Sequence, residues 1–220
     1  MPEIEVYADI WCPFAHVGLR TAAERLVELA GGPPAGARSE AVLRVRAWPL
    51  ELVNGAPQDP AATARHVEEL RDRVAPGLFR SFDPGRFPST TLPALALAAR
   101  AYRTSPATGL AVSLALRRAL FEEGADIGDP DVLTTLGRAH GVRPTDGDDD
   151  SAVLEDWHRG EGLGVRGSPH FFCGSRDVFC PLLRMGEDPD GQLTIELQFE
   201  RLEHFLRACL SGADASGPVP

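Results

Sequence analysis

The sequence predicts an α/β fold in which two strand-containing parts are separated by a long helical stretch. Alternating apolar residues predict one strand over Glu3–Ile10 and another over Ala41–Trp48, and helical spacing predicts a helix over Pro13–Leu29 between them. Strands joined in this way run parallel with a right-handed crossover. Helical spacing then continues from about Ala61 to Arg159, and strand patterns return only after Gly167. The sequence therefore predicts one α/β fold that carries an inserted helical subdomain.

The C-terminal part combines short strands with one last helix. Strands are predicted at His170–Cys173, Asp177–Leu183 and Gln192–Leu197, with glycine-containing turns between them. Apolar residues at helical spacing from Phe199 to Leu210 predict an amphipathic helix, and within the insertion we expect two helices at Leu92–Tyr102 and Leu110–Phe121, separated by a turn with Pro106 and Gly109. We divide the chain into an N-terminal half, a helical insertion, a C-terminal half and a flexible tail: residues 1–59, 60–160, 161–211 and 212–220.

Composition narrows the classes of partner. The net charge of -10 opposes binding to nucleic acid or to an anionic membrane, because phosphate groups repel such a surface. No apolar run approaches the ~18 residues of a membrane-spanning helix. The acidic start of the chain is unlike a signal peptide, so we expect a cytoplasmic protein with reduced cysteines. Convergent Cys/His spacing is not visible, so we expect no metal site.

Cys12 lies where the first strand gives way to the first helix. The unpaired N–H groups and the dipole at a helix start stabilise a thiolate, so we expect the pKa of Cys12 to fall well below the free value of about 8.5. Pro13 suits the first helical turn. Trp11 and Phe14 flank the cysteine with apolar surface for a ligand or peptide, and His16, one turn further on, would add charge near the thiol.

The residue three positions after Cys12 is Ala15, so the segment Cys12-Pro13-Phe14-Ala15 has no second cysteine. A thioredoxin-type Cys-x-x-Cys motif uses its second thiol to release a mixed disulfide. Ala15 cannot do this. If the protein exchanges disulfides, the resolving thiol comes from elsewhere in the fold or from a small thiol in solution.

Cys180 is our candidate for a second thiol. If the preceding hairpin turns near Ser175, residues whose numbers sum to about 350 are opposite each other, and Cys180 faces His170. Two strand spacings would then separate it from Cys12 by roughly 10 Å. Bonded cysteines have Cα atoms within about 7 Å, so a disulfide would need movement, although Cys180 would line the same cleft. Cys173 and Cys209 are expected to be core residues.

Two distant segments carry a family resemblance. Asp9-Ile10-Trp11-Cys12-Pro13-Phe14-Ala15-His16-Val17-Gly18 resembles the active-site segment of DsbA-like oxidoreductases of the FrnE type, and Gly164-Val165-Arg166-Gly167-Ser168-Pro169-His170-Phe171 resembles their cis-proline loop. Phe87–Thr90 and Glu122–Ile127 are similar to parts of that family's helical insertion. The resemblance implies a thioredoxin-like fold. It also implies a cis peptide bond before Pro169, which would pack against Cys12, and a binding role for Ser168 and its neighbour His170.

The resemblance implies a thiol-disulfide oxidoreductase that acts through one cysteine on a small-molecule or peptide disulfide. No tightly bound cofactor is expected, and glutathione or mycothiol could serve as co-substrate. Kappa-class glutathione transferases and 2-hydroxychromene-2-carboxylate isomerases share the fold and usually have serine in place of Cys12, so a transferase or isomerase that uses a thiol cofactor is an alternative. A non-catalytic binding protein is a third. Relatives often dimerise, so the resemblance also allows a homodimer.

Overall fold

A computed structural model describes residues 3–29, 43–143, 150–187 and 193–211 of the chain, and the predicted tail at 212–220 lies outside these ranges. The secondary-structure elements, in chain order, are β1 (Ile4–Ala8), α1 (Pro13–Leu29), β2 (Leu43–Ala47), α2 (Leu50–Asn54), α3 (Pro60–Arg73), a 3₁₀ turn (Pro84–Arg86), α4 (Leu92–Thr104), α5 (Pro106–Glu123), α6 (Pro130–Ala139), α7 (Ser151–Leu163), β3 (His170–Cys173), β4 (Arg176–Phe179), β5 (Leu183–Glu187), β6 (Leu193–Leu197) and α8 (Phe199–Ser211).

The main sheet has four strands in the order β2-β1-β3-β4. β1 runs parallel to β2, with Val6 opposite Val45, and antiparallel to β3, with Tyr7 opposite His170. The predicted βαβ unit is therefore present, and β3 adds directly to the strand that leads to Cys12. The N-terminal and C-terminal halves of the chain meet along this β1–β3 pairing.

The helices between β2 and β3 form the predicted helical region. α4 and α5 pack against each other, and α5 also contacts α1 and β2. Buried side chains from the sheet, from α1 and from these helices belong to one hydrophobic core. The helical region thus packs against the sheet through α5. Its last helix, α7, continues to Leu163, beyond the boundary predicted at residue 160.

The prediction of a turn around Pro106 and Gly109 is wrong, because both residues belong to the first turn of α5. The Ser105 side chain accepts a hydrogen bond from the Thr108 N–H and caps the helix. Proline is well suited to the first helical position, where its missing N–H would have had no partner. Gly109 lies against the ring of Tyr102, whose hydroxyl accepts a hydrogen bond from the Val45 N–H.

We expect Gly109→Ala to lower the free energy of unfolding by about 1–3 kcal/mol, because a Cβ atom at this position would overlap the Tyr102 ring. The measurement is urea unfolding at neutral pH. Gly162→Ala, in α7, is the matched control, since a Cβ there has nothing within 4 Å. Alanine also favours the helix, so this control should keep or slightly gain stability. Equal destabilisation of the two variants would contradict the packing argument.

The strand predicted over Asp177–Leu183 is also wrong. β4 ends at Phe179, and the chain then turns through Cys180, whose φ is 44°. Pro181 follows and cannot donate a hydrogen bond to a neighbouring strand. Leu183 begins β5, which pairs antiparallel with β6 in a separate two-stranded sheet. A positive φ and a proline in succession therefore split one predicted strand into two.

Candidate active site

Cys12 lies directly before α1 and is 5% exposed. Its thiol donates a hydrogen bond to the backbone oxygen of Ser168, at a distance of 3.1 Å. The peptide bond between Ser168 and Pro169 is cis, as the family resemblance implies. α1 also runs past this loop, since a Cβ atom on Gly18 would lie 3.5 Å from the Pro169 ring. The two segments that carry the family resemblance, 156 residues apart at these positions, are therefore in direct contact.

The expectation that Cys12 has a lowered pKa is wrong. Burial raises the pKa of Cys12 above its ordinary value, and the nearby Asp9 carboxylate raises it further. Hydrogen bonds from the Ser168 side chain and from the backbone at the helix start act in the opposite direction without overcoming burial. The sequence shows the helix start but not the closed surroundings, and desolvation penalises the charged thiolate. In the resting structure Cys12 is therefore a neutral thiol.

Asp9 joins the cis-proline loop to the helical region. Its backbone N–H donates to the Ser168 hydroxyl at 2.9 Å, and its carboxylate accepts hydrogen bonds from the Leu50 N–H at 2.6 Å and the Trp11 N–H at 3.4 Å. Burial raises the pKa of Asp9 to about 6, although these backbone hydrogen bonds and the Thr91 side chain favour the ionised form. Asp9 is thus a buried carboxyl that titrates just below neutral pH beside the thiol.

Arg117 from α5 is the buried cation of the site and is 1% exposed. Its guanidinium donates to the backbone oxygen of Asp9 at 3.1 Å and of Ala8 at 3.4 Å, and to both oxygens of Ser113. Burial lowers the pKa of Arg117 to about 10, while the charges of Asp9 and Cys12 act to raise it. Arg117 is therefore charged at neutral pH and close enough to favour a thiolate at Cys12.

Sequence reasoning missed the roles of Asp9 and Arg117. Asp9 was visible within the resembling segment as an acid immediately after an apolar strand. Arg117 was visible as a charge on the apolar stripe of α5, at helical spacing from Ser113, Leu116 and Leu120. A cation on the apolar stripe of a helix is rarely buried without a partner. Arg117 in this stripe was therefore the sequence feature that could have indicated a buried, partnered charge.

The apolar neighbours of Cys12 serve packing rather than an open ligand surface. The Trp11 indole is fully buried and stacks on Phe87 with ring centroids 5.8 Å apart. Phe14 is 8% exposed and lies against His66 of α3. Pro13 is buried as well. In this structure Trp11 consequently presents no accessible surface to a ligand, and Phe14 presents only a small part of its surface.

His16 faces a different cluster from the one that holds the thiol. Its ring hydrogen-bonds to the Glu122 carboxylate at 2.7 Å and packs against Phe79 and Phe121. Burial lowers the pKa of His16 despite the carboxylate. His16 therefore joins α1 to α5 and to the loop before α4 and is not a cation beside Cys12 at neutral pH.

His170 is buried within the sheet beyond Pro169. Its Nδ1 accepts from the Arg166 N–H at 3.1 Å, so its Nε2 carries the proton and donates to Asp177 at 2.8 Å. Burial lowers the pKa of His170. The ring thus fixes the entry to the cis-proline loop, and its two nitrogens are both occupied.

Cys180 lies across the loop from Cys12 and is shifted by one residue from the predicted register. The residues paired between β3 and β4 sum to 349, with His170 opposite Phe179, so the expected facing of Cys180 and His170 is wrong. Cys180 instead donates its N–H to the Pro169 oxygen at 2.9 Å. Burial raises the pKa of Cys180 to about 12, and a thiolate at Cys12 is close enough to raise it further. The two thiols therefore flank the same cis-proline loop.

Residues 3–190 match the DSBA-like thioredoxin domain family, and the chain belongs to that family. Its fold is similar to a protein from Streptomyces coelicolor assigned as a DsbA oxidoreductase (15% identity, TM-score 0.63, covering 100% of this chain and 94% of the other). It is also similar to the cytosolic disulfide reductase DsbM from Pseudomonas aeruginosa (16%, 0.55, 96% and 100%), which has been solved with GSH. A third similar structure is a 2-hydroxychromene-2-carboxylate isomerase (16%, 0.54, 80% and 87%).

These likenesses establish the thioredoxin-like fold, and a comparison with curated proteins gives no match. Within the described ranges, no helix is long and apolar enough to cross a membrane. The same described residues contain no group of three or more His, Cys, Asp or Glu side chains suited to a metal ion.

Proposed function

We propose that this chain is a cytoplasmic thiol-disulfide oxidoreductase whose reacting group is the single thiol of Cys12. The observation that carries the proposal is the hydrogen bond from the Cys12 thiol to the Ser168 oxygen, next to the cis bond. A backbone oxygen beside a nucleophile can position an incoming disulfide. Membership of the DSBA-like family supports the same chemistry.

The reaction has two exchange steps. Cys12 first attacks a disulfide RSSR, which gives the mixed disulfide Cys12–S–S–R and one RSH. A second thiol then attacks this mixed disulfide, which regenerates the Cys12 thiol and leaves a new disulfide. Arg117 favours the thiolate that must form in the first step, whereas burial and Asp9 oppose it. Turnover should therefore rise with pH through the neutral range, because the thiolate is the nucleophile.

The second thiol in this proposal is a small thiol such as glutathione or mycothiol. Ala15 cannot resolve the mixed disulfide, and the solved complex of DsbM with GSH supports a small thiol as co-substrate on this fold. The substrate is then a peptide or small-molecule disulfide that reaches Cys12, which is 5% exposed.

Cys180 is the proposed protein thiol that competes for this second step. Its backbone N–H donates to the Pro169 oxygen, one residue along the loop from the Ser168 oxygen that accepts from Cys12. We expect Cys180→Ser to lengthen the lifetime of the Cys12 mixed disulfide severalfold when no small thiol is added, measured by quenched mass spectrometry. Cys209→Ser is the matched control, since Cys209 is buried on α8. An unchanged lifetime in Cys180→Ser would leave the small thiol as the resolving group.

A thiol-dependent isomerase or transferase is the second candidate. It is favoured by the neutral state of Cys12, whose thiol donates to Ser168 much as a serine hydroxyl would. The likeness to a 2-hydroxychromene-2-carboxylate isomerase supports this candidate, because that isomerase has a similar fold. In this case the protein would bind a small thiol and work without net oxidation or reduction.

The deciding experiment is mass spectrometry of Cys12 across pH after exposure to oxidised and reduced glutathione, with reduction of a model disulfide measured in parallel. An exchanger gives a Cys12 mixed disulfide and reduces the model disulfide, and Cys12→Ala loses both. Binding of reduced glutathione without an adduct favours the isomerase or transferase. If neither adduct nor binding is observed and Cys12→Ala behaves like the parent, the chain is a binding protein without exchange activity.

A further inference from the structure

The two remaining cysteines meet at the far end of β3. Cys173 is its last residue, and Cys209 lies in the last turn of α8; they are 4% and 1% exposed. Cys173 is four residues beyond Pro169, so about 13 Å of strand separate this position from the candidate active site. Neither thiol takes part in the exchange proposed for Cys12.

The packing of α8 on β3 places these two thiols in the same layer. Phe171 and Phe205 contact each other edge to face, with ring centroids 6.1 Å apart. Cys173 follows Phe171 by two residues, on the same face of the strand, and Cys209 follows Phe205 by four residues, on the same face of the helix. These steps advance about 6.7 Å along the strand and about 6 Å along the helix. The cysteines therefore occupy the next layer of the interface together.

The pKa of Cys209 agrees with this placement of the two cysteines. Burial raises the pKa of Cys209, and a hydrogen bond with the Cys173 sulfur raises it further. Arg176 is the charged group near Cys209, and it acts in the opposite direction. At neutral pH Cys209 is thus a protonated thiol in contact with a second sulfur.

We propose that Cys173 and Cys209 form a second, independent dithiol that closes to a disulfide and ties the last helix to β3. With a low-molecular-weight disulfide RSSR as oxidant, one of the two thiols is first converted to a mixed disulfide and one RSH leaves. The other thiol then displaces the second RSH. Both cysteines are oxidised and two RSH are produced. The product joins the C-terminal helix covalently to the centre of the sheet.

The positions of the arginines allow a tryptic digest to show which cysteines are linked. Cleavage after Arg20, Arg166, Arg176, Arg184 and Arg207 leaves the four cysteines on four different peptides. The folded chain is treated with bis(2-hydroxyethyl) disulfide at pH 8, its free thiols are alkylated, and the digest is analysed without reduction. We expect peptide 167–176 to be linked to the peptide that begins at Ala208. A link that forms only after unfolding in urea, or separate adducts on the two cysteines, would overturn the proposal.

Two variants make the result specific. The link should persist in Cys12→Ser, because this pair does not depend on the active-site thiol, and it should disappear in Cys209→Ala. Oxidation of the parent chain should also raise the urea midpoint, since a cross-link restricts the unfolded chain, and dithiothreitol should reverse the shift. Failure of the Cys12 exchange reaction would appear on peptide 1–20 and is therefore distinguishable from failure of this link.

Discussion

Replacing Arg117 by methionine is expected to lower the free energy of unfolding by about 3–5 kcal/mol, because breaking a buried ionic network leaves the remaining charge and polar groups without compensation. The variant keeps most of the side-chain volume but removes every donor to the backbone oxygens of Ala8 and Asp9. It also leaves the buried Asp9 carboxylate without its cation. Urea unfolding at neutral pH measures the loss.

Arg118→Met is the matched control for this prediction. Arg118 is the next residue of the same helix, its side chain is 72% exposed, and it pairs with Glu123 at the surface. A surface substitution of this kind changes stability by no more than about 0.5 kcal/mol. If the two methionine variants lost similar amounts, the stabilising role assigned to the buried guanidinium would be wrong.

The second large effect concerns the pH dependence of stability at Asp9. Burial raises the pKa of Asp9 from an ordinary value of 3.8 to about 6 in the folded chain. The folded state therefore favours the protonated carboxyl, and this stabilisation is complete below the unfolded pKa and lost as the pH rises through about 6. Asp9→Asn cannot ionise. Between pH 4 and pH 8 its stability should consequently improve relative to the parent by about 2.5 kcal/mol.

Unfolding curves of both proteins at several pH values provide this comparison. A stability difference that stays constant from pH 4 to pH 8 would show that Asp9 keeps an ordinary pKa. The same variant offers a second measurement at the thiol. The Asp9 charge raises the pKa of Cys12, so Asp9→Asn should speed the alkylation of Cys12 at neutral pH.

The sequence predicts the framework of the site better than its electrostatics. Residues next to one another in the chain define β1, the start of α1 and the loop around Pro169, because alternation, proline and glycine act locally. The proximity of Cys12 to the loop around Pro169 follows from the family resemblance. The pKa of Cys12 does not follow, because burial raises it, and the segments that pack against α1 and its first residues, among them α3, α5 and the Ser168–Pro169 loop, come from distant parts of the chain.

The errors around Cys180 and Pro106 have a different origin. The position of Cys180 depends on the hairpin turn, and a shift of half a residue in the centre of the turn changes the register by one residue and moves Cys180 from opposite His170 to opposite Pro169. Pro106 in the sequence predicts a turn, although proline after a serine cap begins a helix equally well. In both cases the sequence pattern is compatible with two local structures. The choice between them depends on contacts with residues whose positions in the fold the sequence does not give.

The occupied oxygen of Ser168 also bears on when the thiol is vulnerable. That oxygen accepts the hydrogen bond of Cys12 in the resting chain. In the proposed exchange reaction, a partner that pairs with the same oxygen takes the place of the Cys12 thiol, so recognition of the partner and release of the sulfur become a single event. Without a partner the sulfur stays neutral and enclosed, and such a thiol resists peroxides that damage surface cysteines. In the proposed function, the loop that binds the substrate therefore also protects the resting thiol of Cys12.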